Sequence, residues 1–241
     1  MRRCALLVLS STMLLAGCFG RDSYEKRMEH RLEEIRYKRR LDSNLMARPN
    51  DKKFEDLAIH VRPPKDEDLT RTSQLPVPEG QYELDASFVD KAGPALHLLA
   101  RVKLPKKAPA KGAPAPPPPT QRGEFTRDVL AILTGFYPQV EGLMTPKFVD
   151  ESKKGNRFKR LVTTVNDKGV DKELKLYTYK DGNYEAALIF VYDSKQRGTL
   201  GPKIDLCLET FATGPRATRI FGGGQADDED AAGGGGTNVP M

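Results

Sequence analysis

Between Gln81 and Val89 the chain alternates without interruption, with Tyr82, Leu84, Ala86 and Phe88 on one face and Glu83, Asp85 and Ser87 on the other. A period of two marks a strand with one buried face. Ala95 to Leu104 repeats the pattern, which predicts Leu96, Leu98, Ala100, Val102 and Leu104 inward and His97, Arg101 and Lys103 outward. Asp90-Lys91-Ala92-Gly93-Pro94 between them reads as a hairpin loop. Further on, Phe125, Val129, Ile132, Leu133 and Phe136 recur at helical spacing and predict a core helix ending near Gly135. Strands are predicted over Phe158 to Val165, Glu173 to Tyr179 and Tyr184 to Tyr192, the last two joined through the turn pair Asp181-Gly182. Ala186 to Tyr192 is apolar on both faces and suits a central strand. Lys203 to Thr210 alternates again, with Ile204, Leu206 and Leu208 predicted inward as a sixth strand.

Together these segments predict an α+β domain over residues 81–215, an antiparallel sheet of about six strands with one main helix on one face. Residues 105–121, which hold Pro116 to Pro119 and several lysines, read as an extended polyproline-type insert. Residues 47–80, with five prolines among many charges and no sustained period, read as a linker. The tail, residues 216–241, rich in glycine and carrying Asp227-Asp228-Glu229-Asp230, reads as a disordered, solvated run. Before the linker, Asp22 to about Met46 is charged and free of Gly and Pro, and Asp22 with Glu25 matches a capping box. Tyr24, Met28, Leu32 and Ile35 form a narrow apolar stripe on this predicted helix, which suits a solvated stalk or self-association through the 22–46 helix.

The first residues change the picture most. Arg2 and Arg3 precede an apolar run from Ala5 to Leu15, which is too short for an ordinary membrane-spanning helix and reads as an export signal. It ends in Leu15-Ala16-Gly17-Cys18, which resembles the lipobox of bacterial lipoprotein precursors. The resemblance implies cleavage between Gly17 and Cys18 by signal peptidase II, removal of residues 1–17, and a diacylated Cys18 thiol whose new amino group is open to a third acyl chain. Residues 18–46 then form a lipidated stalk. Two or three chains hold a protein on its membrane, since each buried methylene contributes about 0.8 kcal/mol. Phe19 stands where lipoproteins retained in the inner membrane tend to carry Asp, so the resemblance implies the outer membrane, facing the periplasm.

Loss of Arg2 and Arg3 with the signal lowers the formal charge from +6 to +4, a modest excess that does not point to nucleic acid. Of the three cysteines, Cys4 leaves with the signal and Cys18 carries lipid, so Cys207 alone keeps a thiol and an intramolecular disulfide is excluded. Strand alternation sets Asp205 and Glu209 on the face of Cys207, and two carboxylates would raise a thiol pKa, so a structural role is expected. His30, His60 and His97 lack a second ligand at metal spacing, and Phe221-Gly222-Gly223-Gly224 lacks the strand-turn-helix setting of a phosphate loop. Neither a cofactor, a metal site nor a catalytic constellation is therefore expected. The reading that follows is a non-enzymatic binding or adaptor module for a protein or cell-wall partner, with Arg101 and Lys103 as the candidate partner face. Two alternatives stand beside it: an envelope-polymer hydrolase using Asp205 and Glu209 as general acid and base, and a self-associating structural lipoprotein.

Overall fold

In the computed structural model, which describes residues 4–65, 70–71, 75–89, 94–103, 123–138, 140–167 and 169–223, the alternating segments after Gln81 form strands. The elements run α1 (Cys4–Asn44), α2 (Lys52–Asp56), β1 (Ile59–His60), β2 (Thr70–Arg71), β3 (Leu84–Val89), β4 (Ala95–Val102), α3 (Phe125–Phe136), α4 (Glu141–Met144), β5 (Val149–Lys153), β6 (Asn156–Asp167), β7 (Val170–Asp181), β8 (Tyr184–Asp193), α5 (Arg197–Thr210), β9 (Ala212–Thr213) and α6 (Gly214–Phe221). The chain divides into two compact units, residues 1–44 and 45–241. The first is the single helix α1, which runs through Asp22, so the expected cap at that residue is not a helix start. Tyr24, Met28, Leu32 and Ile35 are exposed on it. Among the described residues no helix is long and apolar enough to cross a membrane.

The second unit is an α+β fold. Its sheet has the order β2-β3-β4-β8-β7-β6-β5, with all neighbours antiparallel. Six strands have five or more residues, and β2 adds a two-residue edge. The apolar β8 is central, as its two-sided pattern predicts. Two tight hairpins set the register at one end. Lys154-Gly155, both at positive φ, turns β5 into β6, and Gly182-Asn183 turns β7 into β8 with Gly182 at φ 50°.

One face of the sheet packs on α3. Phe125, Val129 and Leu133 meet Leu99, Leu161, Leu174, Leu176, Ala187 and Ile189 in one core. Glu124 caps this helix, its carboxylate accepting from the N–H groups of Thr126 and Arg127 at 3.1 and 2.7 Å. The opposite face is aromatic: Phe158, Tyr177, Tyr179 and Phe211 stack with ring centroids 5.1 to 6.1 Å apart. Here α5 closes the sheet, and this corrects the expected sixth strand. Leu200, Ile204, Cys207 and Leu208 are buried at spacings of four, three and one, a helical stripe that the alternation of Ile204, Leu206 and Leu208 masks. The sheet therefore has a helix on each face, not on one.

Two domain boundaries move. In the expected linker, Asp51 caps α2, Phe54 and Val61 are buried, and β1 pairs with β9 through Ile59 with Thr213 and His60 with Ala212. Its sparse apolar residues carry no sustained period because each docks singly on the domain. The expected tail begins too early, since α6 occupies residues 214–221 and buries Ala217. The insert 105–121, most of the loop 90–94 and residues 224–241 lie outside the described residues.

Candidate functional site

The proposed partner face does not hold together. Lys103 is exposed, but Arg101 is 4% exposed. Its guanidinium donates to the Gln81 carbonyl at 3.2 Å, the Gly123 carbonyl at 3.1 Å and Asp128 Oδ2 at 2.6 Å, and it lies over the rings of Tyr82 and Phe125. The alternation correctly sets Arg101 opposite Leu98 and Ala100. That face is covered by α3, not by water, so Arg101 is corrected from a partner contact to an internal clamp.

His97 and Ser87 sit on the same covered face, directly opposite each other across β3 and β4, with Ser87 Oγ and His97 Nδ1 2.7 Å apart. Both are buried, and burial lowers the His97 pKa to about 4, so its ring is neutral at pH 7. The pair satisfies two buried polar groups and is sealed from any substrate.

The carboxylates proposed for hydrolysis lie on α5, not on a strand. Lys153 bridges Asp205 at 2.9 Å and Glu151 at 3.1 Å, and Arg160 reaches Glu151 at 2.9 Å. Burial works against the Lys153 charge, but the bonds to Asp205 and Glu151 outweigh it and raise the pKa. Next along this face Glu173 is buried and accepts from Tyr192 Oη and from Arg197 Nε, each at 2.7 Å. Burial disfavours the ionised carboxyl, yet the Tyr192 and Arg197 bonds hold it below the usual carboxylate range. Such groups are tied down as structural ion pairs. Cys207 is fully buried, and burial itself, not Asp205 and Glu209, pushes its thiol pKa up. On a helix, residues two apart project about 200° from one another, which removes the assumed shared face. His30 lies on α1 and faces Glu34 at 3.5 Å. Among the described residues no three His, Cys, Asp or Glu side chains converge on a metal position.

One cluster escaped the sequence. His60, on β1, is 6% exposed and donates from Nδ1 to the Thr210 carbonyl at 2.9 Å, since a carbonyl only accepts. Its ring meets Phe221 of α6 edge-on, with centroids 5.9 Å apart, and the Arg48 guanidinium lies 5.1 Å from the centre of the same phenyl ring. Arg62 is oriented by donating from Nε to the Met46 carbonyl at 3.0 Å. Arg216 is oriented by donating to Asn156 Oδ1 at 3.1 Å. Asn156 is itself fixed, its Nδ2 donating to the carbonyls of Leu208 at 3.1 Å and Phe211 at 2.8 Å. Burial lowers the His60 pKa, the Thr210 bond opposes this, and the fields of Arg62, Arg48 and Arg216 lower it further. Arg48 is exposed, and Arg62 and Arg216 are partly so. Of these guanidiniums, Arg48 lies on the Phe221 ring, while Arg62 and Arg216 are held at the Met46 carbonyl and at Asn156. A narrow apolar crevice on the α5 side of the sheet, lined by Leu96, Phe190, Leu200 and Ile204 among others, has room for only about 10 Å³ and holds no ligand-sized space.

No family model matches the chain, and no curated protein matches it. Among solved structures, a protein from Bacteroides thetaiotaomicron is similar at 9% identity and a TM-score of 0.38, covering 65% of this chain and 45% of that one. The chain thus spans less than half the length of that protein. Cyanobacterial PsbP (CyanoP) from Synechocystis is similar at 11% identity and a TM-score of 0.41, covering 71% and 93%. LpqN, involved in cell envelope biogenesis of Mycobacterium tuberculosis, is similar at 14% identity and a TM-score of 0.30, covering 62% and 87%.

Proposed function

We propose that this chain is a membrane-anchored envelope lipoprotein whose α+β unit is a non-enzymatic binding or adaptor module. The observation that carries the anchor is Leu15-Ala16-Gly17-Cys18 at the end of a basic and then apolar N-terminal run. The binding reading is supported by where reactive groups lie. The Cys207 thiol and the Ser87–His97 pair are enclosed, and Asp205 is paired with Lys153, whereas Arg48 over Phe221 is exposed and Arg62 and Arg216 are partly so. Outer-membrane residence with the unit in the periplasm belongs to the same proposal and rests on Phe19 following the acylated cysteine.

Mass spectrometry of the mature N-terminus tests the anchor. A chain beginning at Cys18 with a diacylglyceryl group is expected, and Cys18→Ala should abolish both the lipid and the cleavage at that site. A mature chain starting elsewhere, without lipid, sinks the reading. In-cell crosslinking with affinity purification then tests the adaptor role, with a dominant partner expected for the native chain and lost in Cys18→Ala.

A further inference from the structure

Helix α1 shows four large apolar side chains on one side, and a helix in water rarely does so without a partner. Tyr24 is 58% exposed, and Met28, Leu32 and Ile35 are each 45% exposed. Round the helix these four lie within about 80° of one another over three turns, so they form one nearly straight seam. His30 faces Glu34 at 3.5 Å and Arg40 lies over the Tyr37 ring, both outside that seam. We propose that the seam pairs with the same seam of a second copy of this chain, with the two helices parallel.

The charges beside the seam select both the partner and its direction. Arg27 and Arg31 border one side of the stripe, and Glu25 and Glu29 border the other. When two such helices pair in parallel about a two-fold axis, the basic border of each meets the acidic border of the other at nearly the same height. Antiparallel pairing would set the basic borders together and the acidic borders together, which is unfavourable. An anionic headgroup layer would attract one border and repel the other, whereas a second copy satisfies both. Beyond Ile35 the surroundings turn basic on every side, with Arg36, Lys38 and Arg39, so the seam ends there. Exposed ion pairs taken singly contribute little, so burial of the apolar stripe supplies the attraction and the borders fix its direction.

The test uses the full-length chain in whole cells, with a photo-reactive phenylalanine analogue in place of Tyr24, Ile35 or Glu33 in turn. Glu33 is exposed on the far side of α1 and serves as the control. Illumination at positions 24 and 35 is expected to give an adduct of twice the chain mass, and position 33 should give none. Peptide mapping should join each probe to its own level in the second copy, within about one turn. Antiparallel copies would instead join position 24 to the neighbourhood of 35, about 16 Å further along the helix. Arg31→Glu should reduce the adduct about fivefold, and Glu29→Arg combined with Arg31→Glu should restore it. Residues two apart on one helix do not face each other, so this rescue reports a contact between copies. Both residues are exposed, so circular dichroism should show unchanged helix content. The proposal is overturned if positions 24 and 35 give no dimer, are joined to lipid or to another protein, or map to the antiparallel register. It is equally overturned if Arg31→Glu leaves the adduct unchanged. The seam goes beyond the adaptor reading and does not need lipid on Cys18, so the adduct and the mass of the mature N-terminus can fail separately.

Discussion

The Arg101 guanidinium donates to Asp128 Oδ2 at 2.6 Å and so joins β4 to α3 across the sheet's covered face. The Arg101 side chain is 5% exposed and that of Asp128 20%, so the pair is mostly desolvated. Removing one partner of such a pair strands the other, at a cost of about 3 kcal/mol. Arg101→Met is therefore expected to lower the urea midpoint strongly, and Arg101→Met with Asp128→Leu should recover part of the loss. An unchanged midpoint for the single variant would mean that the clamp contributes nothing.

Stability should fall on acidification through His97. Its folded pKa is about 4 against an ordinary 6.5, so the unfolded chain binds the proton more readily. The stabilisation is complete above pH 6.5, declines as pH falls through the window down to about 4, and then levels off. A shift of this size corresponds to about 3 kcal/mol. His60, also lowered, adds a contribution of the same sign. Denaturant titrations between pH 4 and 7 should show a shallower slope for His97→Gln than for the parent. Identical slopes would remove His97 as the origin.

Gly142 marks the closest approach of α4 to β6. A Cβ there would collide with the Thr163 Oγ1 and sit 2.7 Å from its Cβ, so the backbone must move to admit one. Gly142→Ala is expected to cost about 1 to 3 kcal/mol, the usual range for overpacking. Thermal unfolding would register this as a clear drop in Tm, whereas an unchanged Tm would mean that α4 shifts without penalty.

Cys207 offers a reporter of global opening. With Cys4 and Cys18 replaced by Ser, it is the remaining thiol, and it is fully buried with a raised pKa. A chromogenic disulfide reagent should label no thiol in buffer and one per chain in denaturant. Rapid labelling under native conditions would show that α5 leaves the sheet far more readily than its packing implies.

The stripe of Tyr24, Met28, Leu32 and Ile35 on α1 is exposed along its length. If it mediates self-association, a chain lacking residues 1–18 should sediment with a concentration-dependent mass, and Leu32→Glu should return it to the monomer. A monomer at every concentration would leave α1 as a stalk alone.

What the sequence by itself determined is local. Period-two alternation located β3 and β4, apolar and β-rich runs located β6, β7 and β8, the spacing from Phe125 to Phe136 located α3, and the Asp181-Gly182 pair located the β7–β8 turn. These patterns report which side chains must leave water together, and that depends on neighbours a few residues away. The tertiary structure decided whatever depends on what lies above a face. Arg101 and His97 alternate as solvent-facing residues, but both are buried, Arg101 against α3. Lys203 to Thr210 alternates as a strand, yet contact with the aromatic face of the sheet selects a helix that buries Ile204, Cys207 and Leu208. The cluster of Arg48, Arg62 and Arg216 left no mark in the sequence. Its members lie up to 168 positions apart, and only the pairing of β1 with β9 and the docking of α6 bring their fields to bear on His60.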